Sequence, residues 1–292
     1  MRAAARCTAL LLALSLLVGC SPAAPERPAE QGAGPLTTLP EDGQMYRSTL
    51  AEPEQAEYDR IRAALLARAQ SAELETGPDD QRLMELVRMV LADDPQLCWV
   101  DATVTCQLDP SGAARRMEPC YNELAGDVPG ALAELQQAAA PVVEQLRLLP
   151  EDGQRIAFAH DWLVQNVQYD PGAGDRFSAY PALVQGRAVC MGYASAFCWL
   201  MQQVQIPSAV VMGWAENGSG SGEHVWNLVQ LEGAWYGVDV TWDDPVGRRD
   251  PEPSREYFLL TAEQMARHHR RDAISARLPA ESSTPAAATA AE

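Results

Sequence analysis

The sequence predicts an α+β fold, and three observations support this class. The 292-residue chain opens with segments of helical periodicity and continues with two extended runs joined by the turn "DPSG". A strongly apolar helix and a pair of antiparallel strands follow only in the second half of the chain. Because strands and helices do not alternate, and because no internal repeat is found, a doubly wound sheet and a solenoid are both disfavoured.

Residues 1–20 are predicted to be a lipoprotein signal peptide, in which two arginines precede an apolar stretch too short to span a bilayer. The segment ends in "LVGC", which resembles a bacterial lipobox and would make Cys20 the lipidated first residue of the mature chain. A cleaved secretory signal is the alternative. Residues 21–50 are rich in Pro, Ala and Gly and are therefore predicted to form a flexible tether.

Residues 51–149 are predicted to form a helical module that carries a β-hairpin and no chemistry of its own. The stretches "EQAEYDRIRAALLARA" and "DDQRLMELVRMVLADDP" each place apolar side chains on one helical stripe. Asp79 or Asp80 is the expected N-cap of the second helix, and Pro95 its end. The hairpin around "DPSG" follows, and a further helix is predicted from Gly130 to Leu149.

The composition limits the function and the kinds of site. With 40 acidic against 22 basic residues the net charge is −18, so nucleic-acid binding is not expected. A disulfide bridge between two of Cys98, Cys106 and Cys120 is the expectation for an exported chain, with the pairing left open. Because CxxC pairs and histidine-rich spacings are absent, no metal site is predicted.

Residues 150–275 are predicted to carry the chemistry, and residues 276–292, which lack core-forming side chains, to be disordered. The stretch "GRAVCMGYASAFCWLM" indicates a buried helix with Cys190 in its first turn, where the helix macrodipole favours a thiolate. Cys198, two turns deeper, lacks that field and is predicted to be inert packing. For Cys190 taken alone, a buried structural thiol is the alternative.

The hairpin "GEHVWNLVQLEGAWYGVDVTWDDP" supplies a base for this thiol. A two-residue loop at Glu232 and Gly233 sets a register that puts Trp226 opposite Asp239. His224 and Asp239 then share one face of the ribbon as diagonal neighbours. A cysteine nucleophile needs such a base, an imidazole oriented by a carboxylate, so the pair favours the catalytic interpretation of Cys190.

The remaining histidines and the two adjacent aspartates are predicted to have structural roles and no part in catalysis. His160 lies among apolar side chains and is predicted to be structural, whereas His268 and His269 lie among arginines and indicate a solvated helix end. Asp243 and Asp244 precede a proline and predict a turn, with cation binding as the alternative. The stretch "AENGSGSGE" predicts either a mobile lid over the site or a solvated hairpin end.

Three separated blocks resemble the bacterial branch of the transglutaminase-like superfamily: "AYPALVQGRAVCMGYASAFCWLM", "EHVWNLVQLEGAWYGVDVTWDDP" and "EYFLLTAEQMARHH". The similarity covers roughly Arg155 to His268. In that family a Cys opens a helix, a His begins a strand and an Asp lies on the next strand, which Cys190, His224 and Asp239 match. The resemblance implies a papain-like core in which the helix bearing the cysteine packs on an antiparallel sheet.

These residues predict a cysteine acyl-transfer enzyme that needs no cofactor and acts through a thioester on amide bonds. The predicted address alone makes peptides or proteins of the cell envelope its expected substrates. Tyr180 is a candidate oxyanion donor, and Trp226 and Trp242 are candidate cleft walls, with core packing as the alternative for all three. The expected location is extracytoplasmic, with the chain anchored by lipid to a bacterial membrane. Because some members of the superfamily have lost the triad, an inactive binding or assembly lipoprotein is the alternative function.

Overall fold

The structure, a computed structural model, describes residues 43–173, 177–217, 220–244 and 253–286. The predicted signal peptide, Cys20 and most of the predicted tether lie outside these residues. The helices are α1 (Met45–Ser48), α2 (Glu52–Leu66), α3 (Asp80–Asp93), α4 (Val128–Leu148), α5 (Asp152–Asn166), α6 (Tyr180–Gln185), α7 (Cys190–Gln203), α8 (Val240–Asp243) and α9 (Ala262–Met265). The strands are β1 (Ala72–Glu73), β2 (Val100–Leu108), β3 (Ala114–Tyr121), β4 (Gln168–Tyr169), β5 (Arg187–Ala188), β6 (Ser208–Asn217), β7 (Gly220–Leu231), β8 (Ala234–Val238) and β9 (His269–Arg271).

The first half of the chain has the predicted helices and hairpin, and the predicted α+β class is confirmed. Asp79 caps α3 by accepting the backbone N–H of Arg82 at 2.8 Å. Strands β2 and β3 form the hairpin around "DPSG", and β1 joins them in a sheet of order β1-β3-β2. None of the described helices combines the length and the hydropathy that a membrane crossing requires.

Helix α7 is the centre of the second half, and its side chains from Met191 to Met201 are all buried. A helix that is apolar on every face belongs in a core, and α7 packs on β7 and against α5 and α6. The chain reaches its start through Gly186, which ends α6 in the left-handed region at φ 66°. Gly192 lets the first turn of α7 approach β5, because a Cβ there would lie 2.6 Å from that of Ala188.

The second sheet is antiparallel, with strand order β8-β7-β6-β9. The predicted register of the β7–β8 hairpin is confirmed from Leu231–Ala234 to Asn227–Val238. Its two loop residues have φ of 52° and 80°, as a type I′ turn requires. The ladder ends at Val238 because the chain turns into α8, so the predicted pairing of Trp226 with Asp239 is wrong.

The stretch predicted as a lid or a hairpin end belongs to strands β6 and β7 in its described part. Asn217 pairs with Gly220 and Ala215 with Gly222, so the hairpin alternative is the one found. At the other end of the chain, the start of the predicted disordered tail returns to the sheet. Leu278 is 1% exposed, and the Ser282 N–H donates to the carbonyl of Trp235 on β8 at 2.7 Å. An apolar side chain and an open strand edge explain this difference from the prediction.

Helix α1 lies within the predicted tether, residues 21–50, but its buried side chains belong to the core, so the predicted tether extends too far. The helix connects the first described residues to the second sheet. The carboxylate of Asp93 accepts the backbone N–H groups of Tyr46 and Arg47, at 3.0 and 3.1 Å. The buried Tyr46 hydroxyl donates to the carbonyl of Val210 on β6 and lies 2.8 Å from the hydroxyl of Ser275, near the end of the described chain. Both halves therefore share one continuous core.

Candidate active site

Cys190 is the first residue of α7 and is only partly buried. Its N–H is one of the four that a helix leaves without an intrahelical acceptor, and its side chain lies at the positive end of the macrodipole. The second cysteine of the helix, Cys198, differs from Cys190 in its burial and its surroundings. Cys198 is fully buried, burial raises the pKa of its thiol to about 12, and the amide of Asn227 donates to its Sγ at 3.3 Å. The arrangement is consistent with the predicted packing role of Cys198.

His224 and Asp239 form the predicted imidazole–carboxylate pair. His224 lies on β7, and its Nε2 is 2.7 Å from Oδ2 of Asp239. Asp239 lies one residue beyond β8, where it is the N-cap of α8, and its Oδ1 accepts the backbone N–H of Trp242 at 3.1 Å. One carboxylate thus begins a helix and holds an imidazole, which is why the two residues meet although Asp239 has left the strand.

The electrostatic interactions within this buried pair favour the charged forms of both His224 and Asp239. Burial by itself lowers the pKa of His224, but the charge and hydrogen bond of Asp239, together with a hydrogen bond to Cys190, raise it to about 10. Burial likewise raises the pKa of Asp239, but the charge and hydrogen bond of His224 and a hydrogen bond from His269 hold it well below its usual range. The raised pKa favours the imidazolium form of the ring at neutral pH. Because its Nε2 faces Asp239, Nδ1 is the nitrogen left for Cys190.

A second imidazole reaches the same carboxylate. His269 on β9 is buried, and its Nε2 lies 2.8 Å from Oδ2 of Asp239. The prediction of a solvated helix end is therefore wrong for this residue. Only His268 keeps partial exposure, and its Nδ1 donates to the carbonyl of Glu216 at 3.1 Å. Successive residues of an extended segment point to opposite sides, so one histidine of the pair faces the core and the other does not.

Aromatic rings surround the two imidazoles. The ring of Trp242 stacks on that of His224 at 5.1 Å and 27°, and it lies 4.6 Å from that of His269. The ring of Trp226 lies 4.9 Å from that of His269 and 6.3 Å from that of His224. Both tryptophans predicted as cleft walls therefore contact the site. Tyr180, the predicted oxyanion donor, instead donates its hydroxyl to Glu134, which joins α6 to α4.

A buried polar network supports α8, the helix that Asp239 caps. His160 is fully buried, with Nδ1 2.9 Å from Asp161 and Nε2 3.0 Å from Asp243. Asp243 is also fully buried and accepts the hydroxyl of Ser254 at 2.8 Å and the N–H of Tyr257 at 3.1 Å. The turn predicted at Asp243 and Asp244 coincides with the end of α8, and Asp243 is buried within it. The structural role predicted for His160 agrees with its position between α5 and α8.

His224, Asp239 and His269 are also the group that could offer ligands to a metal ion within the described segments, with ligand atoms inside 4.8 Å of one another. The separations of 2.7 and 2.8 Å are those of hydrogen bonds, and zinc about 2 Å from each ligand would spread them further apart. The group as it stands is a hydrogen-bonded triplet. Elsewhere, the structure assigns no disulfide bridge to the described cysteines, so the bridge predicted among Cys98, Cys106 and Cys120 is not found there.

Residues 141–240 match the family model described as "Transglutaminase-like superfamily", a range that includes Cys190, His224 and Asp239. Kyphoscoliosis peptidase of Mus musculus is 28% identical over 166 residues, which are 52% of this chain and 22% of that protein. The Homo sapiens protein of the same name is 30% identical over 127 residues, 38% of this chain and 19% of that protein. The chain therefore spans about a fifth of the length of these relatives.

Among solved structures, the periplasmic domain of TgpA from Pseudomonas aeruginosa bound to ethylmercury is similar at a TM-score of 0.31. It has 19% sequence identity, over 49% of this chain and 60% of that one.

Proposed function

Because residues 141–240 make up a transglutaminase-like domain, we propose that the chain is a cysteine acyl-transfer enzyme that acts on amide bonds of peptides or proteins. One observation carries this proposal: Cys190 opens α7 and is hydrogen-bonded to His224, whose ring Asp239 holds at 2.7 Å. The match of residues 141–240 to the transglutaminase-like superfamily model supports the coarser part of this proposal, an acyl-transfer class of chemistry. The roles of the three residues are our proposal.

In the first half of the reaction, the Cys190 thiolate attacks the carbonyl carbon of the amide, and the carbonyl π electrons move onto oxygen. The backbone N–H of Cys190, at the start of α7, is well placed to donate a hydrogen bond to that oxyanion. When the carbonyl re-forms, the C–N bond breaks and the departing nitrogen takes the proton of the His224 imidazolium. A thioester on Cys190 and a neutral His224 remain.

In the second half of the reaction, the lone pair of a water molecule or of an amine attacks the thioester carbon, and His224 accepts the proton that this nucleophile loses. The C–S bond then breaks, and the Cys190 thiolate and the imidazolium are restored together. Asp239 stays ionised throughout and fixes the ring so that one nitrogen faces the sulfur. Water yields hydrolysis and an amine yields transamidation; the three residues serve both outcomes.

We also propose that the enzyme works outside the cytoplasm, held at a membrane by lipid on Cys20. The "LVGC" motif that ends an apolar N-terminal segment supports this location. The substrate would then be a peptide or protein of the cell envelope. Nucleic acid is not a partner we propose, because the net charge of −18 opposes a phosphate backbone.

The proposal is tested by the rate at which iodoacetamide alkylates Cys190. At pH 7 an ordinary thiol is only a few per cent ionised, so a thiolate held by an imidazolium should react at least about tenfold faster, even after its lower intrinsic nucleophilicity is counted. The folded protein is compared with the same chain unfolded in urea, and mass spectrometry locates the label. The His224→Gln variant should lose the advantage.

Cys198 is the internal control, since it is buried in the same helix and should be labelled only after unfolding. Release of amine from a peptide library, and incorporation of a fluorescent amine into casein, should both disappear in Cys190→Ala. A folded protein whose Cys190 reacts no faster than in urea would refute the enzyme proposal and favour the inactive binding protein instead.

A further inference from the structure

His269 lies at the opposite edge of the sheet from Asp239, yet it reaches that carboxylate. β9 pairs with β6, while Asp239 follows β8 at the far side of β7. The two β6 residues on the intervening face are Gly213, opposite His224, and Ala215, opposite His269. Their small size leaves the face open for an imidazole to cross. A Cβ at Gly213 would lie 2.7 Å from the ring of Trp226 and 2.2 Å from a carbonyl of β9.

Both imidazoles bind the same oxygen of Asp239. An ionised carboxylate only accepts hydrogen bonds, so each Nε2 at 2.7 and 2.8 Å must carry a hydrogen. Together with the N–H of Trp242 on Oδ1, three donors fix the carboxylate in one orientation. The direction of Oδ2 in turn fixes the ring of His224, and with it the nitrogen that faces Cys190.

Packing alone does not account for a histidine at this place. The side chain of His269 is 1% exposed, and its Nδ1 has no hydrogen-bond partner among the described residues. A buried polar atom without a partner is destabilising, and an apolar ring between Trp226 and Trp242 would avoid that cost. The hydrogen bond from Nε2 to Asp239 is the polar contact that offsets the cost of burying Nδ1 without a partner.

We propose that His269 is a positioning residue of the active site, a fourth member that acts on Cys190 through Asp239 and His224. It lies outside the range that matches the superfamily, so the domain match does not supply this role. The inference rests on the proposed function of Cys190. Loss of the donor should leave substrate binding largely intact and slow the chemical step, because His269 holds the acid–base pair and not the substrate.

The test compares His269→Gln, which keeps an N–H donor at similar reach, with His269→Phe, which keeps an aromatic ring without one. Alkylation of Cys190 by iodoacetamide is measured from pH 5 to pH 9. Removal of one charge-assisted hydrogen bond should slow alkylation at pH 6 about tenfold in His269→Phe and less than threefold in His269→Gln. Turnover, if present, should lose kcat in the same order with KM nearly unchanged.

His268→Phe and His268→Gln are the matched controls, since the neighbouring histidine lies outside the triplet and should leave the pH profile unchanged. A residue that only fills space would give the reverse order, with His269→Phe equal to or better than His269→Gln, and that result would overturn the proposal. If His269→Phe does not fold, ¹⁵N-histidine NMR of the native protein decides instead. The proposal requires a protected Nε2–H that is lost in His269→Gln, and its absence refutes it.

Failure of this inference is distinguishable from failure of the proposed function. Fast, His224-dependent labelling of native Cys190 that His269→Phe leaves unchanged removes only the role of His269. Slow labelling of the native protein removes the enzyme proposal and this inference with it.

Discussion

The raised pKa of His224 predicts a pH-dependent contribution to stability. Burial lowers this pKa, but the charge and hydrogen bond of Asp239, with Cys190, bring it to about 10, against about 6.5 for an unfolded histidine. Between those values the folded chain holds a proton that the unfolded chain has released. The free energy of unfolding therefore falls by about 1.4 kcal/mol per pH unit; the stabilisation is complete below pH 6.5 and lost as the pH approaches 10.

The comparison leaves out Cys190, because its hydrogen bond to His224 contributes to the raised pKa of that ring. The comparison is therefore between Cys190→Ala and the double variant Cys190→Ala/His224→Gln. Between pH 7 and pH 8 the single variant should lose about 1.4 kcal/mol more than the double variant. Without Cys190 the pKa of His224 falls below 10 but stays high, since Asp239 supplies the larger effects.

Urea unfolding followed by tryptophan fluorescence measures both free energies, and Trp242, stacked on His224, reports on the site itself. Other titrating groups, His160 among them, are common to both proteins and cancel in the difference. Equal slopes in the two variants would refute the raised pKa.

Two further predictions concern the sheet and the anchor. Gly213→Ala should lower the free energy of unfolding by about 1–3 kcal/mol in urea titration, since its Cβ meets β9 and Trp226. Gly220→Ala, with nothing within 4 Å of the added carbon, is the control, and equal losses would contradict this explanation. Cys20→Ala should move the protein from the membrane to the soluble fraction, whereas Cys7→Ala should not; retention of both at the membrane would exclude lipid on Cys20.

Local rules were sufficient for the part of the site that one hairpin carries. The type I′ loop set the register as far as Val238, and Asp239 reached His224 despite a wrong assumption about where the strand ends. An aspartate is a preferred N-cap, so the same residue that ends the ladder begins α8. The predicted meeting of His224 and Asp239 is therefore found although the strand ends before Asp239.

Long-range pairing was beyond such rules. A strand as short as β9 has almost no alternation to detect, and the arginines beside His269 suggest solvent. Its inward direction depends on pairing with Ala215, far away in sequence. The buried contact of Asp243 was not predicted for the same reason, since its partner His160 lies on another helix. The small residues at Gly213 and Ala215 were the available signal, because they indicate a close approach across the strand.

The contact of Tyr46 with Val210 and Ser275 has a mechanical consequence. The beginning and the end of the described chain are fastened to the same central strand, so a pull on the residues before Tyr46 loads the sheet directly. Helices α2 and α3 therefore cannot separate from the sheet first while the hydrogen bonds of Tyr46 to Val210 and Ser275 are intact. Tension applied from the N-terminal side would act on the hydrogen bonds between the strands of this sheet, and the half of the molecule that carries Cys190 would bear it as soon as the helical half does.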